Sequence, residues 1–200
     1  MIIQSIKRNL SSIRAKKLAI VAHSKGGVDA QAALIHYHAH PYVKSLTTLG
    51  SPHYGSPLAD LAFSSKAKAL ARMTGFYNKG TFQMQTGFME KFRSELDKEV
   101  DKYSMPHFAL VGVDSVQQLS RSILSMGGKY LSQYGENDGV VVAKNAHLPY
   151  SKRVIGYWNH DNIRLGKVTF PLIEELVEGD YSYEKNYRTN SSRKLIGEVF

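Results

Sequence analysis

The sequence predicts an α/β fold in which a mostly parallel sheet is flanked by helices. Short apolar runs of β-type residues alternate with longer segments whose apolar residues recur at helical spacing. The first such run, residues 18–22, leads through a tight turn into a helix, a connection typical of parallel sheets. The chain has 200 residues and is 42% hydrophobic, which suits one sizeable core and is too little for two ordinary ones.

The N-terminal segment is predicted to be an amphipathic helix that packs on the sheet. Its apolar residues recur at helical spacing, with basic residues on or near the other face: Ile2, Ile3, Ile6, Leu10 and Ile13. The positive charges come after the first apolar residues, and they are not followed by the long apolar region of a signal peptide. This segment therefore lacks the pattern of a signal peptide, and the compartment is left open.

The remaining elements follow from the same periodicities. Helices are predicted over 27–38, 58–73, 88–103 and 168–177, and strands over 43–49, 106–113 and 154–158. Residues 74–87 are rich in glycine and aromatic residues, and form either a flap over a substrate or an ordinary surface loop. One domain is predicted over residues 1–180, followed by a basic tail at 181–200 that is partly disordered.

A serine between small residues lies where the first strand meets its helix. Ala22, His23, Ser24, Lys25 and Gly26 match the nucleophile-elbow pattern Gly-x-Ser-x-Gly, with alanine in the first small position. We expect Ser24 to occupy a strained turn, and side chains larger than a methyl at Ala22 or Gly26 to collide as strand and helix converge. A helix N-terminus also favours a developing anion. The pentad alone leaves open a phosphate-binding turn or a plain strand-to-helix connection.

Later segments add an acid and a histidine. Residues 48–60 contain Thr-Leu-Gly-Ser-Pro-His, residues 136–141 read Glu-Asn-Asp-Gly-Val-Val, and residues 158–160 read Trp-Asn-His. Serine, acid and histidine thus follow one another in the chain order of α/β-hydrolases. From Ala22 to His160, the chain resembles bacterial triacylglycerol lipases of the α/β-hydrolase superfamily.

The resemblance implies a role for each matching residue. Ser24 would be the nucleophile, Asp138 the acid and His160 the base, while the backbone N–H of Lys25 would be one oxyanion donor. The implied reaction is hydrolysis of lipid esters through an acyl-enzyme, and the apolar, aromatic loops favour a medium or long acyl chain. Two alternatives stay open: an impaired remnant that binds lipid or a partner chain, and an acyltransferase that uses the same triad.

Three further residues are candidates for the site. Asp114 directly follows a predicted strand, as the acid of an α/β-hydrolase does, but Asp114-Ser-Val-Gln also has the form of a helix capping box. We therefore favour Asp138. His23 and His53 are candidates on the substrate side. We expect His23 to pack against or orient the turn rather than act as the base, because a side chain one residue from Ser24 points elsewhere. His53 lies in a loop that the family keeps near the active site.

The resemblance also implies that the front of the fold is missing, since only one helix precedes the strand at residues 18–22. No His-Gly motif that could supply a second oxyanion donor lies upstream of Ser24. Loss of one such donor typically costs about 10²–10³ in rate. The strand would also keep an unpaired edge, where we expect a partner chain to bind.

Charge and composition limit the other partners. The formal net charge is +9, but no aromatic-interleaved basic motif accompanies it, so we expect no nucleic acid and instead peripheral contact with a membrane or lipid-droplet surface. No apolar run approaches the roughly 20 residues that a membrane-crossing helix needs.

The absence of cysteine excludes disulfides and thiolate metal sites. Related lipases hold calcium through an acid two residues after the histidine, where this chain has Asn162, so no metal or cofactor is predicted.

Overall fold

The structure is a computed structural model that describes residues 2–102, 105–114 and 123–179. The predicted basic tail at residues 181–200 and most of the predicted capping box at 114–117 lie outside the described residues. Strands and helices alternate along the described part of the chain, which confirms the predicted α/β class. Within these ranges, no helix has both the length and the apolar character needed to cross a bilayer.

Four strands form a single parallel sheet. In chain order they are β1 (Leu18–His23), β2 (Val43–Leu49), β3 (His107–Gly112) and β4 (Lys152–Gly156), and they lie side by side in the same order. The strand bounds agree with those expected from the apolar runs to within two residues. β2 is buried along nearly its whole length, as a strand covered on both faces should be.

The parallel arrangement brings four strand ends to one edge of the sheet. Ala22 of β1 lies opposite Thr48 of β2, Thr48 lies opposite Ala109 of β3, and Gly112 lies opposite Gly156 of β4. The residues that follow each strand therefore emerge side by side. In open α/β sheets this carboxyl edge is where ligands bind.

In the described part of the chain, eight α-helices connect and cover the strands. They are α1 (Ile2–Ile13), α2 (Lys25–His36), α3 (Pro57–Phe63), α4 (Lys68–Met73), α5 (Lys79–Gln83), α6 (Thr86–Leu96), α7 (Ile123–Leu131) and α8 (Gly166–Glu178). The helix α1 is amphipathic as predicted, with Ile6 and Leu10 buried in a core shared with Leu34 of α2 and Leu46 of β2.

Both faces of the sheet are covered, because successive side chains of a strand point to opposite faces. Phe108 and Leu110 of β3 pack with Ile173 and Leu176 of α8. On the other face, β3 packs against the segment that follows residue 139, through Ala109, Val111, Val141 and Ala146. The segment with the predicted acid is therefore fixed against the strand that precedes it.

Three short helices differ from the prediction. The helix expected over 58–73 is divided into α3 and α4, because the Ser64 backbone is extended and its Oγ donates to the Leu61 carbonyl at 2.7 Å. The segment expected as a loop contains α5, whose N-cap Asn78 accepts a hydrogen bond from the Thr81 N–H at 2.9 Å. Helices of one or two turns are too short to give a periodic pattern.

The helix α7 was not predicted, since two adjacent glycines near its centre weaken its helix propensity. The structure gives a reason for the first of them. A Cβ built at Gly127 would lie 2.2 Å from the carbonyl oxygen of Gly139. Glycine at this position thus allows α7 to lie directly against the Asn-Asp-Gly turn.

Within the described residues, β1 pairs with β2 alone and forms one edge of the sheet. Val21, near the end of β1, is 46% exposed. An edge strand offers unpaired backbone groups to another strand. A partner chain at this edge stays a prediction.

Candidate active site

Ser24 lies in a strained turn between β1 and α2. Its φ of 54° is in the left-handed region, which a non-glycine residue adopts only at a cost of about 1–3 kcal/mol. The helix α2 begins at Lys25, so the Lys25 N–H is one of the first-turn amides that have no partner within the helix. This is the local geometry that the Ala22–Gly26 pattern predicted.

The close approach of strand and helix occurs one residue later than predicted. A Cβ built at Gly26 meets no atom within 4 Å, whereas one at Gly27 would lie 2.2 Å from the Ser51 Oγ and 2.9 Å from Thr48 Cγ2. The reason is that Gly27, rather than Gly26, faces the loop that follows β2. The space left by the missing side chain lets α2 begin against that loop.

The structure brings Ser24, His160 and Asp138 together at the carboxyl edge of the sheet. The His160 Nε2 lies 3.0 Å from the Ser24 Oγ, and the His160 Nδ1 lies 2.8 Å from the Asp138 Oδ2. Asp138 is 1% exposed and His160 is 7% exposed. A hydroxyl, an imidazole and a buried carboxylate at these distances are arranged for activation of the hydroxyl as a nucleophile.

The Asp138 carboxylate is held by the backbone of its own turn. Its Oδ1 accepts hydrogen bonds from the Val140 N–H at 2.9 Å and the Val141 N–H at 2.7 Å, which leaves Oδ2 facing His160. The His160 N–H also donates to the Asp138 carbonyl at 2.8 Å. Acid and imidazole are thus joined by both side chains and backbone.

The residues on either side of Asp138 shape the turn. The Asn137 Oδ1 accepts from the Gly139 N–H at 3.0 Å, and its Nδ2 donates to the Gly128 carbonyl of α7 at 3.3 Å. Gly139 has a φ of 95°, a conformation that side chains rarely adopt. Each member of the Asn-Asp-Gly sequence therefore has a separate structural task.

Two glycines that the sequence analysis did not single out leave room for this contact. Gly50 follows β2 with a φ of 54°, and a Cβ there would lie 2.7 Å from the Asp138 Oδ2 and 3.3 Å from the His160 Nδ1. Gly112 ends β3, where a Cβ would lie 2.3 Å from the Trp158 carbonyl oxygen and 3.0 Å from the Asp138 Cβ. The signal that could have found them is a glycine at the end of an apolar strand.

The loop that carries His160 is closed by paired asparagines. The Asn159 Oδ1 accepts from the N–H groups of Asp161 and Asn162 at 3.0 and 2.9 Å, and the Asn162 Oδ1 accepts from the Asn159 N–H at 2.8 Å. Asn162, which stands where related lipases have a calcium-binding acid, is thus engaged with the backbone. Among the described residues, no three His, Cys, Asp or Glu side chains are grouped to hold a metal ion.

His23 contacts His160. Its Nε2 lies 2.8 Å from the His160 carbonyl oxygen, to which it donates, and the two ring centroids are 4.6 Å apart. Burial, and then the neighbouring His160, lower the pKa of His23, which favours the neutral ring. The hydrogen bond ties the residue before Ser24 to the loop of the base, which agrees with the packing or orienting role expected of His23. A substrate-side position of His23 stays a prediction.

His53 lies apart from this group. Its side chain is 1% exposed, and its Nε2 lies 3.3 Å from the Thr48 Oγ1. Burial lowers the pKa of His53 to about 3, with smaller contributions from Arg93 and two other histidines, so the ring is neutral near pH 7. The substrate-side role of His53 stays a prediction. Asp114, the other acid candidate, donates its backbone N–H to the Trp158 carbonyl at 3.1 Å, while Asp138 holds the place beside His160.

Comparison with known proteins indicates the family of the chain. The family described as "PGAP1-like alpha/beta domain" matches residues 1–98. The crystal structure of Bacillus licheniformis lipase BlEst2 in its mature form is 40% identical, with a TM-score of 0.80, and the match covers 88% of this chain and 71% of that one. The chain belongs to the lipase and esterase family of α/β-hydrolases.

Two other solved structures place this α/β-hydrolase in context. The propeptide form of the same Bacillus licheniformis lipase is 38% identical with a TM-score of 0.84, and the match covers 95% of this chain but 41% of that one. The metagenomic carboxyl esterase MGS0156 is 22% identical with a TM-score of 0.58, over 72% of this chain and 45% of that one, and shares the fold. No match to this α/β-hydrolase was found among curated proteins.

Proposed function

We propose that the chain is a serine hydrolase that cleaves the carboxylic esters of lipids through a Ser24–His160–Asp138 triad. The observation that carries the proposal is the continuous contact from the Ser24 Oγ through the His160 ring to the Asp138 carboxylate. Similarity to lipase BlEst2 supports ester hydrolysis as the reaction class.

In the first step, the His160 Nε2 takes the proton of the Ser24 Oγ as that oxygen attacks the ester carbonyl carbon. The Lys25 N–H at the start of α2 donates to the oxyanion that forms, and Asp138 keeps the His160 Nδ1 protonated and the ring in place. As the tetrahedral intermediate collapses, the ester C–O bond breaks and the imidazolium gives its proton to the departing alcohol. An acyl group is left on Ser24.

In the second step, His160 takes a proton from water, and the resulting hydroxide attacks the acyl carbon. The bond to Ser24 breaks, the proton returns to the Ser24 Oγ, and the free acid leaves. The triad and water supply every proton transfer in these steps, so we propose no cofactor. The His23 contact would hold the base at its distance from the nucleophile while the two steps alternate.

Aromatic side chains beside the elbow support an apolar acyl group. Phe63, Tyr77 and Phe82 form a cluster, with the Phe63 centroid 4.5 Å from that of Tyr77 and 5.3 Å from that of Phe82. This cluster extends to Phe88, 6.0 Å from Phe82. The helix α5, which carries Phe82, approaches Lys25, because a Cβ built at Gly80 would lie 3.8 Å from the Lys25 Cδ. The proposed substrate is therefore an ester of a medium or long acyl chain.

Hydrolysis of p-nitrophenyl esters with acyl chains of increasing length tests this proposal. We expect kcat/KM to rise from acetate to a medium-chain ester, because each buried CH₂ contributes about 0.8 kcal/mol of binding, or nearly fourfold, where it is fully desolvated. Release of p-nitrophenolate, followed by absorbance below the critical micelle concentration, gives the rates. A steady fall of kcat/KM from acetate onwards would contradict the proposed acyl group while leaving ester hydrolysis in place.

A further inference from the structure

One segment of the chain carries charge of a single sign. Residues 61–89, here called the cationic segment, contain no aspartate or glutamate but four basic residues, Lys66, Lys68, Arg72 and Lys79. The segment runs from α3 to the first turn of α6 and includes α4 and α5. Lys66, Arg72 and Lys79 are exposed, and Lys68 is half-buried. The nearest preceding acid, Asp60, is occupied, since its carboxylate accepts from the N–H and the hydroxyl of Thr86 at 2.9 and 2.8 Å.

Large apolar side chains are exposed on the same segment. On α4, Leu70 is 52% exposed and Met73 is 86% exposed, and residues three apart lie on one face of a helix. Ala71 between them is buried, so α4 is seated on the protein by its other side. Farther along the segment, Phe82 is 46% exposed and Phe88 is 40% exposed.

The cations next to these apolar residues are held in place. The Lys68 Nζ lies 5.3 Å from the centroid of the Tyr77 ring, and the Arg72 guanidinium lies 4.9 Å from it. Contacts of this kind stabilise a cation over an aromatic face. Lys68 and Arg72 therefore both contact the Tyr77 ring, and they lie on the same helix as the exposed Leu70 and Met73.

We propose that the cationic segment is a docking surface for a membrane that contains anionic phospholipids. Exposed leucine and methionine side chains flanked by lysine and arginine are what an interfacial lipid-binding element presents. The lipid headgroups would neutralise the four cations, while Leu70 and Met73 would enter the acyl boundary. The proposal rests on the proposed function in one respect: α5 adjoins Lys25, so a docked membrane would present its esters beside Ser24.

The same features argue against other occupants. A nucleic acid would meet the cations but would leave Leu70 and Met73 exposed to water. A second copy of this chain would bring the same four positive charges against one another across a two-fold axis. An anionic membrane matches both the charge and the apolar residues.

Binding to sedimented vesicles tests the proposal, with Ser24→Ala as the parent chain so that lipid is not consumed. We expect binding to vesicles of phosphatidylcholine with phosphatidylglycerol, and much weaker binding to vesicles of phosphatidylcholine alone. A triple variant removes three cations of the segment through Lys66→Gln, Lys68→Gln and Arg72→Gln. It should lower the partition coefficient about 10²-fold, at roughly tenfold or less for each charge. The double variant Leu70→Ser/Met73→Ser should also bind more weakly.

A control variant removes the same net charge from exposed lysines outside the segment: Lys129→Gln, Lys144→Gln and Lys167→Gln. It should bind within about twofold of the parent, because only charges close to the lipid surface contribute fully. Three results would overturn the proposal. The first is an equal loss of binding in both triple variants, and the second is equal binding of the parent to both kinds of vesicle. The third is a triple variant of the segment that loses binding to duplex DNA but keeps binding to vesicles.

Turnover of a water-soluble ester separates this proposal from the proposed function. With Ser24 restored, the Lys66, Lys68 and Arg72 triple variant should hydrolyse p-nitrophenyl butyrate at the unaltered rate. Vesicle binding with the expected selectivity in a chain without ester turnover would leave the docking surface standing and remove the proposed function. Turnover without selective vesicle binding would do the reverse.

Discussion

Replacing Ser24 with alanine is expected to lower ester turnover on the order of 10⁴-fold or more, because no other group can take the place of the attacking oxygen. The His160 Nε2, which lies 3.0 Å from the Ser24 Oγ, would lose its reaction partner while its contact with Asp138 remained. The fold should be preserved, since alanine is no larger than serine at this turn. Initial rates with p-nitrophenyl butyrate, together with a thermal melt, measure both effects.

Ser65→Ala is a matched control, because Ser65 is exposed and lies outside the site. Its turnover should equal that of the unaltered chain. Turnover that survives in the Ser24→Ala variant would mean that the attacking oxygen belongs to another residue or to water, and the mechanism proposed above would be wrong.

Asp138→Asn is expected to lower turnover by about 10⁴-fold through the tautomer of His160. The two backbone N–H groups that contact Oδ1 would keep the amide oxygen on their side, so the amide nitrogen would face the His160 Nδ1. Nδ1 would then have to accept a hydrogen bond, which places the ring proton on Nε2. In that tautomer His160 cannot accept the proton of Ser24.

Asp114→Asn is the matched control for this substitution. Asp114 follows β3 and contacts the His160 loop only through its backbone N–H in the described structure, which an asparagine retains. We expect its turnover to change little, with any effect confined to the melting temperature. The reverse pattern, a large loss in Asp114→Asn and retained turnover in Asp138→Asn, would show that the wrong carboxylate has been assigned to the triad.

Residues that follow parallel strands could be located from the sequence, because their positions depend on local pattern and one topological rule. The run of apolar residues at 43–49 predicted β2, and the small residues around Ser24 predicted the turn after β1. Parallel strands end at the same edge, which is why Ser24 and His160, each following a strand, lie near one another as the lipase resemblance implies. The strain at Ser24 was expected from the small residues around it, because a turn this tight needs a positive φ.

Contacts between distant segments could not be derived in this way. The space at Gly50 and Gly112 depends on Asp138 and Trp158, which approach through tertiary packing rather than through local sequence. The crowding expected at Gly26 occurs at Gly27, because the rotation of α2 about its axis decides which glycine faces the loop. Local periodicity also misses the break at Ser64 between α3 and α4, and a helix as short as α5, whose start is fixed by the side-chain cap of Asn78.

Covalent labelling shows whether Ser24 is the nucleophile of an acyl-enzyme. The unaltered chain would be treated with a fluorophosphonate, which reacts with an activated serine, and the modified peptide would be identified by mass spectrometry. We expect one phosphonyl group, located on Ser24, and little labelling in the His160→Ala variant. A label on another residue, or an unlabelled Ser24 in the folded chain, would contradict this role of Ser24.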